Sequence, residues 1–399
     1  MATDGRAGRI NPGLTRRDVL RAGAVGLGSL VVRPRSIEAA SLPLADYIRD
    51  RMSAGKLPGL AATVIRGGRP VWTHVEGWAN VERREPVTRD TIFMVASVSK
   101  TVVATGVMQA VEDGLLGLDA DVNEVLPFPV RNPAYPNRPI TLRQLLTHTS
   151  SLRDYWPQLI RGYVRGDSAI PLGTFLEGYL VPGGEYHHEE DAYGFPPGRE
   201  YRYCNVAVAL AAFMVEAAAG VPFETWSRDR IFAPLGMSDT GWRLSEVRAS
   251  QVATPTRWSS KTHTYEGRRH YGYPDYPDGG LRTTVGSLGR HLAMFARGGA
   301  LQGTRILSSD SVRAMQRRQI RDISPDQGLV WYRTSPRGRR LIGHNGGDSG
   351  VATVCFTEPA TDTGVIVLAN GNWRYVRGAW PLQQILMRLF DEADRLASG

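Results

Sequence analysis

Ser97-Val98-Ser99-Lys100-Thr101-Val102-Val103-Ala104-Thr105-Gly106-Val107-Met108-Gln109-Ala110-Val111-Glu112 sets a hydroxyl and an amine three residues apart at the head of an apolar run. Val103, Val107, Ala110 and Val111 fall at i, i+4, i+7 and i+8 with no proline between them, which predicts a helix from Ser97 to Glu112. Gly106 weakens that helix, since an interior glycine costs about 1 kcal/mol against alanine. Residues three apart share a helix face, so Lys100 can reach the Ser97 hydroxyl. A buried lysine loses pKa through desolvation and can then serve as a base. The helix N-terminus adds free N–H groups and a positive dipole for a reacting carbonyl. The spacing alone is weak: with 23 serines and three lysines in 399 residues, chance supplies roughly 0.2 such matches. A second match, Ser53-Ala54-Gly55-Lys56, runs into Leu57-Pro58-Gly59, which cannot continue a helix, and is expected to be loop.

Outward from this helix the chain reads as strands at both ends around a helical middle. A helix is expected from Leu44 to Ser53. Leu60 to Ile65 and Arg69 to Val75 flank Gly67-Gly68 as a hairpin. Between 113 and 284 the pattern is mostly helix and loop, clearest at Thr141 to Thr147 and Val206 to Ala219. A helix follows from Val285 to Ala296. Strands return at Arg340 to Gly343, Val351 to Thr357 and Gly364 to Asn370, closed by a helix from Trp380 to Leu396. The expected architecture is α/β plus all-α: an antiparallel sheet flanked by helices and built by both chain ends (41–112 and 285–399), with an inserted, mainly helical domain at 113–284.

Two further motifs raise the weight of Ser97. Tyr203-Cys204-Asn205 opens the helix Val206 to Ala219, and Gly343-His344-Asn345-Gly346-Gly347 is expected to end a strand and begin a turn. With Leu57-Pro58-Gly59, Asp90-Thr91-Ile92-Phe93, Thr141-Leu142-Arg143-Gln144-Leu145-Leu146-Thr147-His148-Thr149-Ser150 and Phe232-Ala233-Pro234-Leu235-Gly236-Met237, the chain from Leu57 to Asn370 resembles the serine β-lactamase and penicillin-binding-protein superfamily. The likeness is to the branch of class C β-lactamases, D-Ala-D-Ala carboxypeptidases and family VIII esterases. It implies that Ser97 attacks a carbonyl and becomes acylated, and that Lys100 and Tyr203 form the base and proton relay, with the first proton acceptor left open. Asn205 would bond Lys100 or the substrate amide. The N–H groups of Ser97 and of Gly347, beside Gly346, would form the oxyanion hole. No metal or organic cofactor is implied.

The departures from that pattern matter. His344 stands where β-lactamases carry the lysine of Lys-Thr-Gly, and Asn345 replaces the hydroxyl residue, which weakens recognition of a substrate carboxylate. Ser151 replaces a glycine and is expected to adjust a turn. His148 reads as structural, and Cys204 as a small buried filler rather than a second nucleophile. On its own Tyr203 could be a core aromatic and Asn205 a helix cap. Gly347-Asp348-Ser349-Gly350 spells the nucleophile tetrad of trypsin-like proteases without their all-β surroundings. His187-His188-Glu189-Glu190-Asp191 reads as a solvated loop, because consecutive residues rarely converge on one metal ion.

Composition closes off other classes. The chain is 42% hydrophobic and 22% charged, too apolar for a disordered protein. Cys204 and Cys355 cannot make a disulfide framework or a zinc site. Of 48 basic residues only Lys56, Lys100 and Lys261 are lysines. Thr15-Arg16-Arg17-Asp18-Val19-Leu20, a mildly apolar Ala22 to Val32 and the small residues near Ala40 resemble a twin-arginine export signal over 1–40, giving a periplasmic or extracellular location. The expectation is an exported, cofactor-free serine hydrolase of an ester, amide or lactam, esterase or D-amino-acid peptidase before β-lactamase. An acyltransferase with the same acyl-enzyme and a non-catalytic cell-wall-binding protein are the alternatives. Small-molecule or peptide substrates are expected, without nucleic acid or an integral membrane segment. Aromatic stretches at Tyr155-Trp156, Tyr186 to Tyr193 and Tyr271 to Tyr276 are expected to wall the pocket.

Overall fold

The computed structural model describes residues 42–188, 191–374, 376 and 380–398. The twin-arginine segment, Glu189 and Glu190 lie outside the described residues. A seven-stranded antiparallel sheet draws on both ends of the chain. Its strands are β1 (Gly59–Arg66), β2 (Arg69–Asn80), β3 (Glu85–Pro86), β4 (Tyr332–Thr334), β5 (Leu341–Asp348), β6 (Val351–Glu358) and β7 (Thr363–Ala369). The spatial order is β4-β5-β6-β7-β1-β2-β3, so β1 pairs with β7 (Ala62 opposite Val367) and the two ends meet in mid-sheet. The β1–β2 hairpin turns at Gly67-Gly68, both at positive φ, as its sequence requires.

Period-two alternation divides the side chains of β1 between two layers. Leu60, Ala62 and Val64 pack with Val365 and Val367 under α1 (Leu44–Gly55) and the C-terminal helix Pro381–Ser398, whose Ile385, Leu389 and Phe390 are buried there. Ala61 and Ile65 face the other way and join the large core that contains the helices Ser99–Glu112 (α2), Asn205–Ala219 (α3) and Val285–Ala296 (α4); the C-terminal helix is α5. In α2 every residue from Ser99 to Ala110 is buried, so this helix runs through the core rather than along its surface. Gly106 now has a reason: a Cβ there would meet the Phe223 ring at 2.9 Å.

Two expectations need correction. Ser53 belongs to α1, which reaches Gly55 and is stopped by Lys56 in the left-handed conformation (φ 54°), with the lysine ammonium over the Trp258 ring. The Ser53-Lys56 pair is thus a helix end, not a loop. The His344-Asn345-Gly346-Gly347 motif also lies within β5 instead of ending a strand; the turn is Ser349-Gly350. Pairing with β6 continues through the motif, with His344 opposite Cys355 and Gly347 opposite Ala352, and this holds it rigid.

Candidate active site

The short strand Ile92–Met94 pairs with Arg282–Thr284 and delivers the chain to Val95. Ala96 takes φ +47°, uncommon for a residue with a Cβ, and starts a single 3₁₀ turn, Ala96–Val98, that runs into α2. Ser97 therefore sits on the tight turn before the helix, not inside it. The Thr353 hydroxyl of β6 donates to the Val95 carbonyl at 2.8 Å and ties this turn to the sheet. Gly346 of β5 lies against it: a Cβ there would collide with the Val95 carbonyl and the Thr353 hydroxyl and come within 3.0 Å of the Ser97 amide nitrogen.

The i, i+3 geometry survives. Lys100 Nζ donates to Ser97 Oγ at 3.0 Å and to the Asp278 carbonyl at 2.5 Å. The lysine is wholly buried, and burial lowers its pKa against the opposing pull of Asp278, Asp154 and Asp275. A neutral amine at that distance can accept the serine proton. The Tyr203 ring lies 5.2 Å from Lys100 Nζ and packs, tilted, against the His148 ring at 4.4 Å. Its hydroxyl is buried without a hydrogen bond of normal geometry. Burial raises this phenol, and the nearby Ser97 hydroxyl pulls it partway back. His148 serves as a backing for Tyr203: its Nδ1 accepts the Cys204 N–H at 3.2 Å, and burial holds the ring neutral.

Asn205 makes no hydrogen bond to Lys100. Its side-chain N–H donates to Asp154 Oδ2 at 2.9 Å, and Asp154 also accepts the backbone N–H groups of Asn205 and Val206 at 2.9 and 3.1 Å. Cys204 at the N-cap of α3 caps nothing with its side chain, so the half-buried carboxylate of Asp154, from a distant loop, does the capping. The Cys204 thiol also points to Asp154, at 3.4 Å, and burial and that carboxylate keep it protonated, so it is no nucleophile.

On the facing wall, His344 donates from Nδ1 to the Asn345 carbonyl at 2.6 Å. Burial, then Lys100, lower its pKa to about 3, so it carries no charge. Asn345 Oδ1 accepts the Tyr332 hydroxyl at 2.8 Å. Ser97, Tyr203, Asn205, His344, Asn345 and Gly347 all line one cleft, partly open to solvent, while Lys100 and Gly346 support it from behind. Gly347 has no room for a side chain, since a Cβ would lie 2.6 Å from the Trp373 ring.

This arrangement, a lysine-backed serine between a Tyr-x-Asn helix and a glycine-bearing strand, can be set beside known proteins. The beta-lactamase family model matches residues 44–385. The chain belongs to the beta-lactamase family. Penicillin-binding protein 4* of Bacillus subtilis is 27% identical over 314 residues, 76% of this chain and 66% of that protein. Esterase EstB of Burkholderia gladioli is 33% identical over 214 residues, 53% of this chain and 54% of the esterase. The chain thus spans just under two thirds and about half of these relatives. Among solved structures, the octameric penicillin-binding protein homologue from Pyrococcus abyssi superposes with a TM-score of 0.70 at 26% identity, covering 89% of this chain and 77% of that one.

Within this beta-lactamase-family fold, sequence reading missed several residues of the site and of its support. Asp154 follows the His148-Thr149-Ser150 run, but nothing local marks it as a cap for a helix 51 residues on. Trp156 and Tyr273 line the cleft as expected of their aromatic stretches, whereas Tyr163 and Tyr332 were not foreseen. The described residues of the Tyr186 to Tyr193 stretch do not wall it; Tyr193 donates to the Leu180 carbonyl, and Tyr186 packs on Phe175. Ser151 adopts φ +78°, the conformation a glycine would take freely, and its hydroxyl accepts the Asn132 amide at 2.6 Å. Among the described residues no group of three or more His, Cys, Asp or Glu is placed to hold a metal, and no single helix is long and apolar enough to cross a membrane.

Proposed function

We propose that this chain is a serine hydrolase that forms an acyl-enzyme at Ser97 and hydrolyses an ester or amide, as an esterase or D-amino-acid peptidase rather than a β-lactamase. The observation that carries the reading is the wholly buried Lys100 amine 3.0 Å from the Ser97 hydroxyl. Neutral Lys100 takes the Ser97 proton as Oγ attacks the substrate carbonyl. The N–H groups of Ser97 and Gly347 receive the developing oxyanion. The leaving group departs with a proton returned through Lys100 and Tyr203. Water then attacks the acyl-enzyme, giving up its proton to the same pair, and Ser97 is restored. Asn205, fixed by Asp154, is positioned to meet the substrate amide. An uncharged His344 supports a preference away from β-lactams, whose carboxylate it cannot pair with.

Intact-mass analysis after a fluorophosphonate, a penicillin and a series of p-nitrophenyl esters tests the assignment. A single adduct on Ser97 from the phosphonate and an ester, absent in Ser97→Ala, is expected; unchanged ester turnover in Ser97→Ala or Lys100→Ala refutes it. We also propose export by the twin-arginine route, which replacement of Arg16 and Arg17 by lysine should block, leaving the protein in the cytoplasm.

A further inference from the structure

The cleft wall holds acids that this chemistry does not use. Asp275 and Asp278, at the short turn Tyr276–Asp278, are 4% and 8% exposed and both line the cleft. Asp278 gives its carbonyl to Lys100, yet among the described residues no N–H or O–H of another residue outside the pair donates to either carboxylate. Asp348, the third acid of the wall, differs: it accepts the Ser349 N–H at 2.6 Å and faces the Tyr163 hydroxyl at 3.3 Å. Burial raises Asp275 to about 7, and burial together with Asp275 raises Asp278, as expected of two carboxyls without a cationic partner.

The neighbouring cations are engaged elsewhere. Lys100 is held by Ser97 Oγ and a carbonyl. Arg282, buried four residues beyond Asp278, donates to the carbonyls of Trp242, Gly280 and Tyr271 instead of to these acids. His344 is neutral. Ring walls complete the setting, with the Tyr163 and Tyr273 rings tilted against each other at 4.8 Å and Trp156 and Tyr332 elsewhere on the lining. Aromatic faces and carboxylates together favour an organic cation. A substrate carboxylate would meet acids and a neutral imidazole.

We propose that Asp275 and Asp278 form a cation subsite of the cleft, so that the preferred ester or amide carries a protonated amine near its scissile carbonyl. This rests on the reading of Ser97 as nucleophile and narrows its substrate class. The ammonium donates N–H groups to carboxyls that, among the described residues, receive none from outside the pair, beside the lysine that activates the serine.

Protection of Ser97 tests the subsite without requiring the true substrate. The full chain is labelled with a fluorophosphonate and followed by intact mass, in the presence of benzylammonium chloride, benzyl alcohol or sodium phenylacetate. Benzylammonium is expected to protect at about tenfold lower concentration than benzyl alcohol, with phenylacetate weakest. Asp278→Asn and Asp275→Asn should each shrink that advantage to about threefold or less. Equal protection by the three probes, best protection by phenylacetate, no protection by benzylammonium, or an undiminished amine advantage in both variants overturns the subsite. Should either variant fail to fold, the order in the unaltered chain still decides. Labelling of Ser97 without amine preference removes only the subsite; no labelling at Ser97 removes the hydrolase reading and the substrate class with it.

Discussion

Replacing Asp154 by alanine is the sharpest probe of how the site is held. The carboxylate accepts N–H groups from the Asn205 backbone, the Val206 backbone and the Asn205 side chain, all within 2.9–3.1 Å, at the start of a helix whose own N-cap residue offers no oxygen. Loss of a capping oxygen costs about 1–2 kcal/mol. The buried Asn205 amide, stripped of its acceptor, adds about 1–2 kcal/mol. Relief from burying a carboxylate, whose pKa burial raises, offsets part of this. The net loss should be about 2–3 kcal/mol, read as a lower urea midpoint with unchanged m-value. Activity should fall further than stability predicts, because Asn205 loses its anchor and Tyr203 precedes it by two residues. With folded protein well below the midpoint, kcat/KM for an activated ester should drop about tenfold or more. Asp154→Asn, which keeps one acceptor oxygen, should recover part of both losses. A midpoint shift worth less than about 0.5 kcal/mol, within the range of ordinary surface substitutions, would refute the capping argument.

Three further tests address neighbouring steps. Lys100→Arg should lose about a thousandfold in kcat, since a guanidinium stays protonated and cannot take the Ser97 proton; kcat within tenfold of the original would count against lysine as the base. Burial lowers Lys100, so kcat/KM should be full above that lowered pKa and lost as pH falls through it. The carboxyls of Asp278, Asp154 and Asp275 and the Cys204 thiol oppose that shift, while His148 and His344 face the amine uncharged. Asp278→Asn should therefore move the acid limb of the pH profile to lower pH; movement to higher pH contradicts the sign. Gly346→Ala should lower stability by about 1–3 kcal/mol and slow fluorophosphonate labelling, because its Cβ has to displace the turn that carries Ser97. Unchanged labelling would show that β5 does not brace the nucleophile.

What the sequence discloses here follows the range of the forces involved. The Ser97–Lys100 pair is readable because both residues lie on one turn of backbone, and local periodicity also places α2, α3, α4 and the β1–β2 hairpin. The strand content of the His344 motif is not readable that way. Two consecutive glycines look like a turn, but they are required by close approaches to Trp373 and the Ser97 turn, contacts from other parts of the chain. Gly106 misleads for the same reason: its local helix cost is set against the Phe223 ring, which only the tertiary fold brings near. Asp154 is the clearest case. Sequence starts this helix at Val206 with Asn205 as a possible cap, whereas in the structure Asn205 is the first helical residue and the capping oxygens come from Asp154, which nothing local marks.

The cleft residues form a single electrostatic problem, and this limits how any of them can vary. Lys100 must be neutral to accept a proton, and complete burial drives it that way; every carboxylate placed near it drives it back. The fold places three acids within its field and treats them differently. Asp154 spends its charge on helix N–H groups, which draws it away from the amine. Asp275 and Asp278 are buried together; Asp275 raises Asp278, while a hydrogen bond from Asp278 lowers Asp275, so the pair resists double ionisation. Both devices blunt the opposition to a neutral lysine while keeping acids in the cleft wall. A lysine at position 344 would remove the need for such devices, because a second ammonium would itself depress Lys100. A neutral histidine gives no such help. The acids therefore need a reason other than tuning Lys100, and substrate charge is the reason that their position in the cleft wall supplies.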